Sequence, residues 1–280
     1  MKGLFVGLTS IDIIYPLDGY PEENTKQKCE APLMDIGGPA TNAAYAFQSL
    51  GGEATLVSLI GNTPFSAFMI DKIKSYGLTH MDLNPGYSGH PEVASIVVNR
   101  INGSRTVTTA RPNQRVDVIS PDIEWQAFDV VCIDGFFGNY LLDMLPANEE
   151  KIPVVFDGGS YKKHTSTVLN YVDYPILSER FTLPNQDSLI PALQEKGKSK
   201  FAFTRGEKPL LVYEGESSFE LAVPVVKAVD TLAAGDIFHG AFSYYIAQEP
   251  GDFKRALEQA GKVASLSCRF SGPRKWVDFL

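Results

Sequence analysis

Asp230-Thr231-Leu232-Ala233-Ala234-Gly235-Asp236 runs directly into Ile237-Phe238-His239-Gly240-Ala241-Phe242. Ile237, Phe238, Ala241, Phe242, Tyr245 and Ile246 recur on one face at helical period, so the spacing predicts a helix opening at Asp236. The amides of Ala233, Ala234 and Gly235 would then lie unpaired at its N-terminus. There, free donors and the positive end of the helix dipole address the same point, and an anion binds. A carboxylate beside such a hole is badly placed for merely holding phosphate. It is well placed to take a proton from a hydroxyl that attacks phosphorus. The plainer reading is a capping aspartate after a small-residue turn.

The elements around this stretch must position it. Leu4–Leu8, Ala54–Leu59, Val130–Ile133, Pro153–Phe156, Pro175–Ser178 and Phe201–Thr204 are short apolar runs, the pattern of strands covered on both faces of a parallel sheet. Helical patterns alternate with them over Pro39–Leu50, Phe65–Tyr76 and Gly138–Leu145; Pro39 stands at a first helical position and Gly51 just past an end. The alternation predicts one doubly wound α/β domain spanning 1–280. Two segments interrupt it. Residues 12–36 are polar and proline-bearing, and 93–110 hold two extended runs joined by Ile101-Asn102-Gly103-Ser104, a hairpin signal. Together they predict a small β-lid over the active edge of the sheet.

Composition narrows the function. The chain has 280 residues, with 25 Lys plus Arg against 33 Asp plus Glu, a formal net charge of −8. An acidic chain without a basic block argues against nucleic acid and anionic membrane as partners. No uncharged apolar run reaches membrane-spanning length, and the short apolar N-terminus reads as a strand and not a signal peptide. Cys29, Cys132 and Cys268 are isolated, which fits a reducing cytoplasm and neither a disulfide framework nor a zinc site.

A second stretch, Gly37-Gly38-Pro39-Ala40-Thr41-Asn42-Ala43-Ala44 with Gly51 and Gly61 beyond it, completes the picture. In spacing and order, this stretch and Asp230 to Ser243 resemble the two signatures of the ribokinase-like carbohydrate kinases, the phosphofructokinase B group. Thr204-Arg205-Gly206-Glu207 resembles that family's Thr-x-Gly nucleotide loop, and Gly103-Ser104-Arg105-Thr106 is similar to a substrate-facing segment of its ketohexokinase-like branch. The resemblance implies the ribokinase-like fold and ATP-dependent phosphorylation of a small sugar, with Mg2+ and room for a monovalent cation. It implies that Asp236 is the catalytic base and that Ala233, Ala234 and Gly235 form the anion hole. The family usually carries Gly where Ala233 stands, and alanine narrows the allowed backbone. Asp12, at the end of the first strand, Gly38, Asn42 and Arg105 are implied at the sugar. Thr204, Gly206 and Thr231 are implied at the nucleotide, with Ala264 on a last helix, 253–270, beside adenine. Glu179 is implied near magnesium, although no asparagine precedes it at the family's Asn-x-x-Glu spacing. His239 reads as helix packing beside the base, and Asp157 as a strand-end residue near the phosphates. A homodimer through paired lids follows as a further expectation.

Three other functions stay open on the sequence. A nucleoside kinase would want aromatic stacking, which Tyr15, Tyr20 and Tyr87 could supply. A phosphosugar kinase would need cations such as Lys26, Lys28, Arg100, Arg105 and Arg111. An inactive sugar-binding regulator would have lost the base or the glycine loop, and both are present.

Overall fold

The apolar runs fold as strands and the periodic ones as helices. The computed structural model describes residues 1–111, 117–119, 121–184 and 189–280. Strands β1 (Lys2–Val6), β2 (Ser10–Leu17), β3 (Leu33–Gly37), β4 (Glu53–Ser58), β5 (Thr79–Asp82), β6 (Glu92–Asn99) and β7 (Arg105–Ala110) occupy the first half. In the second lie β8 (Val130–Ile133), β9 (Val154–Gly158), β10 (Tyr174–Ser178), β11 (Lys200–Arg205), β12 (Lys208–Glu214) and β13 (Ser217–Leu221). The helices are α1 (Pro39–Ser49), α2 (Ser66–Ser75), α3 (Gly138–Met144), α4 (Thr165–Val168), α5 (Leu189–Glu195), α6 (Ala234–Gln248) and α7 (Phe253–Ser267).

Among the described residues, nine strands form the large sheet in the order β13-β12-β11-β10-β9-β8-β1-β4-β5. Every pairing from β5 to β11 is parallel, and β12 and β13 add an antiparallel edge. Side chains alternate between two cores, as a pleated strand requires. Phe5, Cys132, Val155, Ile176 and Ala202 join the helices α1, α6 and α7 on one face. Leu4, Ile133, Phe156, Leu177 and Phe203 join α3 and α5 on the other. The sheet is doubly wound, as the alternation predicted.

The structure moves two boundaries. Helix α6 starts at Ala234 and not at Asp236, because Ala233 takes a left-handed backbone (φ 61°) and its carbonyl already accepts the amide of Ile237 at 2.9 Å. Asp236 therefore sits inside the first turn. Helix α7 ends at Ser267 and not at 270. The one-face reading of α6 was also too narrow, since His239, Gly240 and Ser243 are buried as well. Gly240 shows why: a Cβ there would overlap the backbone carbonyl of Ala43, so α1 lies hard against α6.

The interrupting segments form a second sheet of four strands, ordered β3-β2-β6-β7. Its centre, β2 with β6, is parallel and both outer pairs are antiparallel. Asp12 is therefore third in β2 and does not end the first strand, which stops at Val6. Ile14, Ala94, Ile96 and Val98 cluster on the inner face with Leu232 against them, so this sheet packs over the loop that leads into α6. The first segment contributes strands from Ser10 to Gly37 with none over 18–32, and the second contributes strands from Glu92 to Ala110.

Candidate active site

The carboxyl ends of β1, β8, β9, β10 and β11 share one edge, the usual place for a ligand in an open α/β sheet. A cleft of about 460 Å³ opens there, and Leu8, Asp134, Asp157, Ser178 and Thr204 line it from the sheet side. The small sheet faces them with Ser10, Asp12, Glu92, Arg105 and Arg111, and the N-terminal ends of α1 and α6 close it with Gly38, Asn42, Ala233, Gly235 and Asp236.

Asp236 and Asn42 lie 194 positions apart, yet the Asn42 amide donates to Asp236 Oδ2 at 2.7 Å. The two sequence signatures thus meet in one hydrogen bond. Asp236 keeps some surface open to the cleft, but desolvation dominates its electrostatics and pushes its pKa up to about 7. Asp157 raises it further, while the Asn42 hydrogen bond, His239 and Arg105 oppose the shift. A carboxyl group poised there is matched to proton abstraction near neutrality.

Around the N-terminus of α6, the amide of Leu232 bonds to Asp230 Oδ1 at 2.9 Å and that of Ala234 to the Thr231 carbonyl at 3.3 Å. Among the described residues, no chain acceptor takes the amides of Ala233, Gly235 and Asp236. The unpaired donors are thus Ala233, Gly235 and Asp236 itself. Ala234, expected in the anion hole, is already engaged and does not line the cleft.

Asp12 is buried and accepts the Ser10 hydroxyl at 2.7 Å. Burial pushes it up to about 6, opposed by that hydrogen bond and by Arg274, while the carboxylates of Asp35 and Glu92 add to the rise. A Cβ at Gly37 would overlap the Asp12 carboxyl group, so the glycine is what leaves it room. Gly38 has φ 95° and packs on the Leu8 carbonyl, a conformation and a distance that exclude a side chain. Arg105 does not reach into free space: its Nη1 donates to the Thr231 carbonyl at 2.8 Å and to the Thr231 hydroxyl at 2.7 Å. Arg111 pairs with buried Glu92 at 2.9 Å and lies over the Phe136 ring, whose other cation is Lys162.

Asp12, Gly38, Asn42, Arg105, Thr204, Ala233, Gly235 and Asp236 converge as expected. Thr231, Gly206 and Ala264 do not line the cleft. Sequence reasoning left Asp134 and Glu92 unnamed. Asp134 takes the amides of Leu8 at 2.8 Å and Phe136 at 2.9 Å, which ties the ends of β1 and β8 together, and burial pushes it up to about 6. An acidic residue directly after a buried parallel strand was the available signal.

Small and backbone-donating residues at the α6 terminus leave room for a terminal phosphate, so a nucleotide fits there. For magnesium the fit is weaker. Glu179 stays outside the cleft lining, half-exposed, 3.9 Å from Lys208, and no group of three or more His, Cys, Asp or Glu converges among the described residues. A magnesium ion would be carried mainly by nucleotide phosphate oxygens and water, as is usual for this cation.

A parallel sheet whose carboxyl edge holds a buried carboxyl group beside free helix-terminal amides is an arrangement suited to phosphoryl transfer to a hydroxyl. The model of the pfkB family of carbohydrate kinases matches residues 2–278. Ketohexokinase from Mus musculus is 24% identical over 291 residues, covering 96% of each chain. A deoxyribokinase from Salmonella typhi is 26% identical, covering 95% of this chain and 92% of the relative. In three dimensions, the crystal structure of a putative ribokinase from Agrobacterium tumefaciens superposes with a TM-score of 0.85 at 22% identity, over 99% of this chain and 94% of that one. The chain belongs to the pfkB family and is a carbohydrate kinase, an enzyme that transfers a phosphoryl group from ATP to a sugar. Kinases of this family use ATP and generally Mg2+.

Proposed function

We propose that this kinase phosphorylates a hydroxyl of a small, unphosphorylated sugar, with Asp236 as the base. The observation that carries the reading is the 2.7 Å bond from Asn42 to Asp236 beside unpaired helix-terminal amides. Asn42 fixes one carboxylate oxygen, and both residues line the cleft where a sugar would sit. Asp12, held by Ser10, supplies an acceptor for a sugar O–H. Asp236 takes the proton from the attacking hydroxyl, the new bond forms between that oxygen and the γ-phosphorus, and the bond to the β-phosphate oxygen breaks to release ADP. The Ala233 and Gly235 amides receive the charge on the transferring group. Bound magnesium would neutralise phosphate charge.

Lining chemistry favours a neutral sugar over the alternatives. Five carboxylates (Asp12, Glu92, Asp134, Asp157, Asp236) face three cations, of which Arg105 and Arg111 are already engaged. That balance disfavours a phosphosugar. Tyr15, Tyr20 and Tyr87 do not line the cleft, and Phe136, its one Phe, Tyr or Trp among the described residues, is occupied by two cations, which disfavours a nucleoside. The small sheet serves as the lid, and Met34, exposed on its outer face, is where a second copy would pair, readable by sedimentation. An ADP-release screen over hexoses, ketoses, pentoses, nucleosides and sugar phosphates tests the substrate class. Turnover of free sugars is the expected result, and turnover confined to nucleosides or sugar phosphates overturns it.

A further inference from the structure

Behind the base, on the buried side of α6, His239 sits in an arrangement that proton abstraction alone does not require. Its Nδ1 lies 2.7 Å from the Gly235 carbonyl and 3.4 Å from Asp157 Oδ2; its Nε2 lies 3.1 Å from the Ile176 carbonyl. All three neighbours are acceptors. A neutral imidazole has one donor and one acceptor nitrogen, so it would leave a lone pair facing a carbonyl whichever tautomer it adopts. Asp157 presents the complementary problem, since its Oδ2 is buried without a hydrogen-bond partner. Both side chains are almost fully enclosed and both line the cleft that holds Asp236.

We propose that His239 carries a proton on both ring nitrogens and is the buried counter-cation that keeps Asp236 ionised beside Asp157. Both are positioning residues, and the proposal rests on Asp236 being the base. Two largely buried carboxylates close together cannot both ionise cheaply, and a cation anchored between carbonyls relieves that repulsion without touching the substrate. The surrounding groups allow it. Strand β9 presents Asp157, β8 presents Asp134 and Cys132, α6 presents Asp236, β10 presents the Ile176 carbonyl, α1 presents the neutral Asn42, and β7 presents Arg105. The other cations of the cleft lining are Arg105, Arg111 and Lys162, of which Arg105 is bonded to Thr231 and Arg111 is paired with Glu92. His239 also opposes the upward shift of Asp236, whereas Asp157 drives it.

Two measurements test this. Nitrogen-15 NMR of histidine-labelled enzyme, with the signal assigned by its loss in His239→Gln, should show both ring nitrogens protonated at neutral pH, and Asp157→Asn should convert the ring to a neutral tautomer. A neutral tautomer in the unaltered enzyme overturns the proposal. In the pH profile of kcat, His239→Gln should move the acidic limb upward by about one unit, so that activity falls about tenfold near neutrality and recovers toward the wild-type plateau in alkali. An equal loss at every pH would reduce His239 to packing. Should His239→Gln fail to fold, the Asp157→Asn spectrum, assigned against His80, His90 and His164 variants, still decides. Asp236→Asn separates this idea from the one beneath it: if that variant keeps turnover, the base assignment falls, while the spectra still report whether the couple exists.

Discussion

Asp236 suits the proposed role of base because of what surrounds it and not through its own type. Burial raises it to about 7, while Asn42 fixes its orientation. Asp236→Asn should lower kcat by about 10²–10⁴-fold with ATP affinity close to wild type, because backbone amides and not the carboxylate face the phosphate; single-turnover kinetics with equilibrium nucleotide binding checks both halves. Its neighbour Ala233 holds a left-handed conformation at φ 61°, which costs a residue with a Cβ about 1–2 kcal/mol. Glycine relieves that strain and loses part of the gain through a freer unfolded chain. Ala233→Gly should therefore raise stability by about 0.5–1 kcal/mol in urea unfolding. A destabilised variant would show that the alanine methyl packs productively.

At the level of elements, two contacts hold the site together. Helix α1 brings Asn42 to Asp236 by lying against α6 where Gly240 has no side chain. Gly240→Ala pushes the helices apart, at a cost of about 1–3 kcal/mol, and should lower kcat as well, since Asn42 adjoins the displaced Ala43. Retention of full activity and stability would mean the backbone adjusts elsewhere. The other contact runs from the start of β7 to the nucleotide side, where Arg105 bonds twice to Thr231. The sequence alone placed Arg105 at the sugar. The structure ties it to the loop that leads into α6 and the proposed anion site, so Arg105→Ala should raise KM for sugar and ATP together, by about tenfold each for a lost charged hydrogen-bond pair. An effect confined to the sugar would restore the simpler role.

For the molecule as a whole, the active edge stores unfavourable charge. Asp12, Asp134 and Asp236 are all raised, to about 6, 6 and 7, with burial the leading cause in each. A carboxyl raised in the folded state binds its proton more tightly there than in the unfolded chain. Its stabilisation is full below the unfolded value near 4 and is lost as pH rises through 6 to 7. The ligand-free protein should therefore melt at a higher temperature at pH 5 than at pH 8, by calorimetry at constant ionic strength. The opposite slope would mean that these carboxyl groups are ionised and well solvated in the fold. No helix among the described residues is long and apolar enough to cross a membrane.

The sequence by itself determined the six parallel strands β1, β4 and β8 to β11, the helices α1 to α3 and the two signature loops, because parallel strands buried on both faces and helix boundaries marked by Pro39 and Gly51 are local patterns. Most boundaries fell within one or two residues of those observed. Tertiary structure alone decided the rest. The turn at Ala233 moved the start of α6 and spent the Ala234 amide on Thr231, because a left-handed residue redirects the chain in a way that no apolar period records. Asp12 went to the second sheet, since the chain crosses over just beyond Val6. Asp134 and Glu92 became part of the site only when the large sheet's edge met the small sheet, while Asp157 and His239, read from sequence as near the phosphates and beside the base, gained their contact there. The desolvation that raises Asp134 exists only once the chain has folded.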